Sequence, residues 1–468
     1  MSPNMDEKTG SGTIVLATLG SLGDLHPLLG IGIALKRRGH RVRMVTTEFY
    51  RDRVVASGLE FRSMRPNWNP TDPALVASCE ELKRGPEILF RRIILPHLPE
   101  TYEDLYAATE DADLMVAGEL VYAAPLVAEK RQLAWVSAIL SPCSFFSAHD
   151  PSVLVNAPQL ILLRKLGWRA YRAALDVARV GTKHWWNPVR ELRRQIGLSD
   201  SCDPVFSDKF SRDRVLALFS REFAQPQPDW PTQTLQPGFV FLECAAGCDD
   251  VDPRLSAFLA NGEAPLIFTQ GSTAVHSAGR FFEISAMIAQ RMGRRAVLVG
   301  ARPDGAFSDG GIGDNCLSIP YVSYESIFPQ AAAIIHQGGS GTTGQALRAG
   351  KPQMIVPFGW DQPDNARRME RLRVGFSLAR TEFCVERAVP LLGRLLDERE
   401  FTENAQRVRR AMESERGVEG ACDGIEEVLF RGADGKVGPS ARAWLLGGSK
   451  VEDWTVERER DTGRAVEL

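Results

Sequence analysis

Ile14-Val-Leu-Ala-Thr18, then a loop holding Gly20 and Gly23, then a stretch from Pro27 to Gly39, then Arg41-Val-Arg-Met-Val-Thr46 together decide the fold. The first, apolar run reads as a buried parallel strand and the last as a second strand. Between them Leu28, Ile31, Ala34 and Leu35 recur at helical spacing, with Pro27 read as the opening of the helix and Gly39 as its close. A strand, helix, strand unit with short links is the mark of a doubly wound α/β sheet, which binds ligands at the carboxyl ends of its strands. The loop from Leu19 to His26 therefore lies at a ligand edge.

Working outward, further strands are expected at Asp113 to Ala117 and Ala134 to Ile139, before residues 151 to 200 turn helical and rich in Leu, Arg and Trp. Trp168, Trp185 and Trp186 there either line an apolar pocket or pack a helical core. Prolines at 226, 228, 231 and 237 predict stiff, extended backbone without regular structure. The α/β alternation then begins afresh with Leu266 to Gln270, Ala296 to Gly300, Ala331 to Ile335 and Met354 to Pro357. This gives 12–223 as one Rossmann-like domain, 224–250 as a linker, 251–430 as a second Rossmann-like domain, and 431–468 as a flexible tail.

The 468 residues carry 56 Lys+Arg against 59 Asp+Glu, a net charge of -3, and 44% are hydrophobic. That excludes a disordered chain and gives no composition-level argument for a nucleic-acid or anionic-membrane partner. The eight cysteines are scattered, with only Cys244 and Cys248 close together, and read as free thiols in a reducing compartment. Met1 to Gly12 is polar, and the apolar run after it is too short for a membrane span, so a cytoplasmic protein is expected.

The densest signal is His336-Gln-Gly-Gly-Ser-Gly-Thr-Thr-Gly344, followed by Gly350-Lys-Pro352 and Asp361-Gln-Pro-Asp-Asn365. A strand entering a glycine turn and a helix offers free amides and a positive helix end to a diphosphate. Ser340, Thr342 and Thr343 add hydroxyls, and His336 is placed to touch the same charge. Gly339, Gly341 and Gly344 also match GxGxxG, with Asp361 20 residues beyond Gly341, so a nicotinamide-dependent oxidoreductase is a competing reading. Asp111-Ala-Asp113 and Asp250-Val-Asp252 fit the paired-carboxylate pattern of metal-dependent glycosyl transfer. The first stands at the amino end of a strand and the second follows the linker, so both read as decoys and no metal site is expected.

The blocks 336–344 and 359–365, the loop Gly20-Ser-Leu-Gly-Asp-Leu-His-Pro27 and the pair Gly271-Ser272 resemble the GT-B glycosyltransferases of the UDP-glycosyltransferase superfamily. The bacterial branches with sterol glucosyltransferases, antibiotic glycosyltransferases and rhamnosyltransferases are the most similar. The resemblance implies two Rossmann-like domains facing across a cleft, the first holding the acceptor and the second a nucleotide-sugar donor. It implies metal-independent inverting transfer, with no cofactor beyond the donor as co-substrate. Carried over, His336, Gly338, Gly339, Ser340, Gly341, Thr342 and Thr343 hold the diphosphate with help from Ser272, and Asp361 and Gln362 bind sugar hydroxyls. Val322, within Tyr321 to Ser323, lies where the nucleobase binds. Asp24 occupies the place of the acceptor base, His26 is its rival, and Glu119 is a second polar group near the acceptor. Displacing a nucleoside diphosphate needs such a base and a fixed positive pole for the departing phosphates. A non-catalytic nucleotide-sugar-binding partner is the third reading.

Overall fold

The computed structural model describes residues 11–79, 81, 84–242, 252–272, 274–301 and 315–431. The end of the expected linker, Cys244, Cys248, Asp250, the start of the chain and the tail beyond residue 431 lie outside the described residues. Seven strands form one sheet: β1 (Thr13–Ala17), β2 (Arg41–Thr46), β3 (Glu60–Ser63), β4 (Leu114–Gly118), β5 (Trp135–Ile139), β6 (Arg214–Ala217) and β7 (Thr234–Leu235). Six form another: β8 (Leu266–Thr269), β9 (Ala296–Val299), β10 (Cys316–Ile319), β11 (Ala333–His336), β12 (Gln353–Ile355) and β13 (Gly375–Ser377). The orders are β3-β2-β1-β4-β5-β6-β7 and β10-β9-β8-β11-β12-β13, with neighbours parallel throughout. The central strands are buried along almost their whole length, as strands covered on both faces must be, which is why they read as apolar runs without alternation. In each sheet the chain winds outward from its first strand and then crosses to the other side. The switch points fall between β1 and β4 and between β8 and β11, so the loops after those four strands border the crevices where ligands sit.

Helix α1 (Leu22–Arg37) begins earlier than the sequence reading had it. Ser21 is its N-cap and Asp24 its third residue; the two side chains satisfy each other's free amides in a capping box, and this fixes the start at Leu22. Pro27 lies inside the helix rather than opening it. Leu25, Leu28, Ile31 and Leu35 go into one core with Ile14, Leu16 and Leu114. That core also contains Ala421, Cys422, Ile425 and Val428 from the last described helix, α5 (Gly417–Leu429). Although 251–430 reads as a second domain, its final helix thus returns to the first sheet. There Arg38 hydrogen-bonds to Asp423 at 2.8 Å and to Glu426 at 2.7 Å.

Three further helices matter for the site: α2 (Trp168–Thr182), α3 (Ser340–Ala349) and α4 (Gln362–Arg371). The two sheets share an apolar cluster in which Ile139 and Phe219 of the first half meet Leu347, Ile355 and Met369 of the second through Phe239. Beside it Arg368 donates to Asp364 Oδ2 at 2.7 Å and also to Asp150, while Arg371 donates to Asp150 Oδ1 at 2.8 Å. The Val153 amide donates to Asp364 Oδ1 at 2.9 Å, so the loop after β5 is tied to α4. The side chains of Arg368 and Asp364 are each 2% exposed. Removing the guanidinium leaves the buried Asp364 carboxylate without a cation and Asp150 with Arg371 alone, so Arg368→Ala is expected to cost about 3–5 kcal/mol of unfolding free energy in denaturant titration. A loss below about 1 kcal/mol would show that the network does not hold the halves together.

Candidate active site

At the turn after β1, Gly20 has φ +125°, and a Cβ there would come 2.3 Å from Asp24 Oδ2. The glycine therefore leaves room for the carboxylate. Asp24 Oδ2 accepts from the Ser21 amide at 2.7 Å and from the Ser21 hydroxyl at 3.1 Å. Its other oxygen has no hydrogen bond among the described residues, and Asp24 lines the cleft, half-buried. Desolvation raises its pKa from 3.8 to about 7; the two Ser21 hydrogen bonds oppose this, and the charges of Glu119 and Asp361 add to it. His26 is different. Its Nε2 faces Arg53 Nη1 at 2.9 Å, and since a guanidinium only donates, that ring nitrogen must accept. Burial, helped by the Arg53 charge, lowers its pKa to about 4, so His26 is neutral with its basic lone pair occupied. Glu119 follows β4 and lies 3.8 Å from the ammonium of Lys209, which sits over the rings of Phe146 and Phe210 at 4.9 and 5.2 Å. Burial pushes the Lys209 pKa down.

On the opposite side β11 ends in His336. The ring is fully buried: Nδ1 accepts from the Gly338 amide at 3.1 Å, and Nε2 donates to Gln353 Oε1 at 2.9 Å. Burial lowers its pKa to about 4. His336 therefore does not touch the cleft as the sequence reading expected. It shapes the turn from beneath, because both ring nitrogens are committed inside. Gly338 (φ +94°) and the fully buried Thr343 also lie off the cleft wall. A Cβ at Gly338 would stand 2.6 Å from Ile355 Cγ2, so this turn admits only glycine.

Gly339, Ser340, Gly341 and Thr342 do line the cleft. Gly339 is the N-cap of α3 and supplies no side-chain cap, so the Ser340, Gly341 and Thr342 amides have no acceptor among the described residues. An open helix start of this kind is an anion site. Asp361 Oδ2 accepts from Ser340 Oγ at 2.8 Å and from Asn365 Nδ2 at 2.7 Å, and burial raises its pKa. Gln362 Oε1 accepts the Phe358 and Gly359 amides at 2.7 and 3.1 Å, which leaves its Nε2 for a ligand. Asp361, Gln362, Ser272 and Val322 all border the same cavity.

That cavity measures about 1380 Å³ and is lined from both halves. Pockets for drug-sized ligands measure roughly 300–1,000 Å³, so this one is larger than a single such ligand requires. Asp24, Glu119 and Ser272 follow β1, β4 and β8, and Gly339 to Thr342 follow β11: the four switch-point loops. Trp185 and Trp186 both pack in the core and face the cavity, so the two readings of these residues merge. Trp168 does neither; it is exposed and stacks on His149 with centroids 5.0 Å apart. Asp111 is held by Arg41 and Arg43, each at 2.7 Å, and Asp113 accepts the Thr13 amide at 2.7 Å. Both are away from the cavity. The GxGxxG match follows the fourth strand of its sheet in chain order rather than the first. Arg53, Lys209 and the buried Gln337 Oε1, which has no hydrogen-bond partner among the described residues, were not picked out in the sequence. Only Ser21 carried a local signal, the Ser-x-x-Asp spacing of a capping box.

Residues 14–142 match the family model described as the glycosyltransferase family 28 N-terminal domain, and residues 303–421 match the erythromycin biosynthesis protein CIII-like C-terminal domain. The O-mycaminosyltylonolide 6-deoxyallosyltransferase of Streptomyces fradiae is 32% identical, over 88% of this chain and 97% of that protein. The sterol 3-beta-glucosyltransferase UGT80A2 of Arabidopsis thaliana is 26% identical, over 87% of this chain and 64% of that protein. The fold resembles that of CalG4, the calicheamicin glycosyltransferase, with TM-score 0.64, 20% identity and coverage of 91% of this chain and 100% of that one. It also resembles glycosyltransferase VinC in complex with DTDP, with TM-score 0.64, 18% identity and coverage of 90% and 100%. The chain therefore belongs to the GT-B glycosyltransferases of the UDP-glycosyltransferase superfamily, in the branch that unites antibiotic glycosyltransferases with sterol glucosyltransferases.

Proposed function

We propose that the chain transfers a hexose or deoxyhexose, with inversion, from a UDP- or TDP-sugar to a hydroxyl of an apolar small molecule, with Asp24 as the base. One observation carries the reading: a carboxylate with a free oxygen and the open N-terminus of α3 line one cavity from opposite halves. The acceptor hydroxyl gives its proton to Asp24 as its oxygen bonds the anomeric carbon, and the bond from that carbon to the diphosphate breaks. Base and leaving group on opposite sides of the sugar favour a single displacement. The Ser340, Gly341 and Thr342 amides receive the charge that develops on the diphosphate, with the helix pole behind them, so positive potential is fixed before reaction begins. His336 holds the turn that aims these amides. Asp361 and Gln362 engage sugar hydroxyls, Ser272 reaches the phosphates and the segment around Val322 receives the base. The apolar wall at Trp185 and Trp186, with Glu119 beside Lys209, takes the acceptor. The DTDP bound by VinC supports a thymidine diphosphate donor. No step calls for a divalent ion, and transfer is expected to persist in EDTA.

A base with pKa about 7 is half-ionised at neutral pH, near the optimum for proton abstraction there. The rate of transfer, read as kcat/KM, should climb with pH and level off above an inflection near 7. Asp24→Asn should lower it roughly 100-fold to 10,000-fold. An unchanged rate in that variant, or loss of the inflection in His26→Gln instead, would move the base to His26.

The same shift has a consequence for folding. Asp24 titrates at 3.8 by its ordinary value and at about 7 in the native state. Between these values the native state binds the extra proton, so its contribution to stability falls as pH rises through that window. Wild type should therefore lose stability relative to Asp24→Asn between about pH 4 and pH 7, with a constant difference above. Melting temperatures of the two proteins across pH decide it; parallel curves would contradict the buried environment.

Donor binding separates from chemistry. Titration calorimetry with TDP and UDP should show full affinity in Asp24→Asn, and at least about tenfold weaker binding in Gly338→Ala, whose strain of order 1–3 kcal/mol displaces the amides. Equal affinity in Gly338→Ala would place the phosphates away from this turn.

A further inference from the structure

Nine large hydrophobic side chains are conspicuously exposed among the described residues, and five of them, Leu162, Leu166, Trp168, Val177 and Val180, fall within one short stretch. They belong to a helical segment, Pro158–Leu166, and to α2, which follows it and packs against it. In α2 the inward face is Tyr171 and Leu175, both buried. Ala173, Val177 and Val180 are spaced four and three apart and so share the outward side. Val177, Val180 and Leu166 are 72%, 73% and 74% exposed, which isolated surface hydrophobics rarely are in a run.

The charges on the same stretch are one-sided. Between Pro158 and Trp186 the sequence has Arg164, Lys165, Arg169, Arg172, Arg179 and Lys183 against a single acid, Asp176, in a chain whose net charge is -3. Arg172 pairs with Asp176 at 3.6 Å, Arg179 pairs with Asp203, and the Arg169 guanidinium lies 5.4 Å from the Trp168 ring. Arg164, Lys165 and Lys183 have no ion pair among the described residues. An exposed helical stretch that presents Leu162, Leu166, Trp168, Val177 and Val180 beside unpaired Arg164, Lys165 and Lys183 has the composition of a segment that lies in a lipid interface. A second copy of the chain would bring like charges against like. A bilayer of anionic lipid provides acyl chains for the apolar stripe and phosphates for the arginines and lysines on one surface.

We propose that the outward face of Pro158–Leu166 and α2 docks on an anionic lipid bilayer, lying in its interface. Among the described residues no helix is long and apolar enough to cross a membrane, so the contact is peripheral. The inward side of the same elements, through Leu160, Leu175, Ala178 and Thr182, lines the large cavity. One layer of helix thus separates the docking face from the site. If the transfer reaction above holds, the acceptor class is a hydroxylated molecule that partitions into lipid, drawn from the bilayer. The docking does not depend on that reaction.

Flotation of the full chain with vesicles tests it. The protein should rise with equimolar phosphatidylglycerol and phosphatidylcholine at low salt, at least about tenfold more weakly with phosphatidylcholine alone, and progressively less as salt screens the attraction. The exposed triple variant Leu166→Glu, Val177→Glu, Val180→Glu should lose at least about tenfold of the binding, with unchanged circular dichroism, melting temperature and TDP affinity. Equal flotation of wild type and triple variant, no flotation of either, or no preference for the anionic vesicles would overturn the proposal. So would a concentration-dependent dimer in sedimentation velocity that the glutamates abolish, since the face would then belong to a second copy. Transfer to a water-soluble phenol, measured in parallel without lipid, reports on the enzyme reading separately.

Discussion

The first amides of a helix have no acceptor within it, and the site rests on two helix starts that meet this constraint in opposite ways. At α1 the protein supplies the acceptors: Ser21 and Asp24 close the end in a capping box, which fixes the Asp24 carboxylate against the main chain. At α3 nothing closes it. Gly339 has no side chain to cap with, and three amides stay open to the cavity. One end thus has a negative group built in, and the other is left to receive one. The strand order brings them together, because both follow strands at the switch points of parallel sheets whose carboxyl edges border the same space.

The electrostatics follow from this arrangement. Burial alone pushes Asp24 upward, and Glu119 and Asp361 push the same way, while the Ser21 hydrogen bonds pull back. The balance near 7 is one that a loop aspartate in water, with its pKa near 3.9, does not reach. His26 is held in the reverse sense. Arg53 occupies its acceptor nitrogen and, together with burial, keeps the ring uncharged, so the imidazole two residues from the carboxylate does not neutralise it. Two ionisable groups on one turn of helix are thus driven apart by their neighbours, a pattern that clusters at functional sites.

How much of this could be read in the sequence depended on whether the cause was local. The strands β1, β2, β4, β5, β8, β9, β11 and β12 were legible because strands buried on both faces are rich in apolar residues. The glycine turn before α3 was legible because its chemistry and its backbone geometry are written in adjacent residues. The short strands β3, β7, β10 and β13 had no such run, whereas β6 was passed over although Val215-Leu-Ala-Leu-Phe219 is one. The start of α1 was misread because Pro27 is a stronger local sign than the capping box that in fact sets it. His336 was misplaced for a different reason: residue order shows a histidine at a strand end, but not that Gln353 on the neighbouring strand takes up its second nitrogen. Lys209 and the return of α5 to the first sheet arise from contacts distant in sequence. The stretch around α2 read as rich in Leu, Arg and Trp, but which of its residues turn outward depends on packing, with Tyr171 and Leu175 taken inward.

The two halves are joined by more than a linker, and this bears on how the site works. A domain pair hinged on a flexible connection has to find its reactive geometry on each turnover, at a cost in ordering. Here Phe239 is sealed into a core with Leu347 and Ile355, and Gly344 approaches that ring so closely that a Cβ would lie 2.9 Å from it. The buried Arg368 adds direction to this apolar contact. It gains little net stability against the desolvation of its charges, but only one registration of α4 against the loop at Asp150 to Val153 satisfies all of them. Asp361 and Gln362 stand at the start of that same helix. The residues that tie the halves together therefore also set where Asp361 and Gln362 stand relative to Asp24, so the arrangement of these side chains across the cavity is fixed largely by folding.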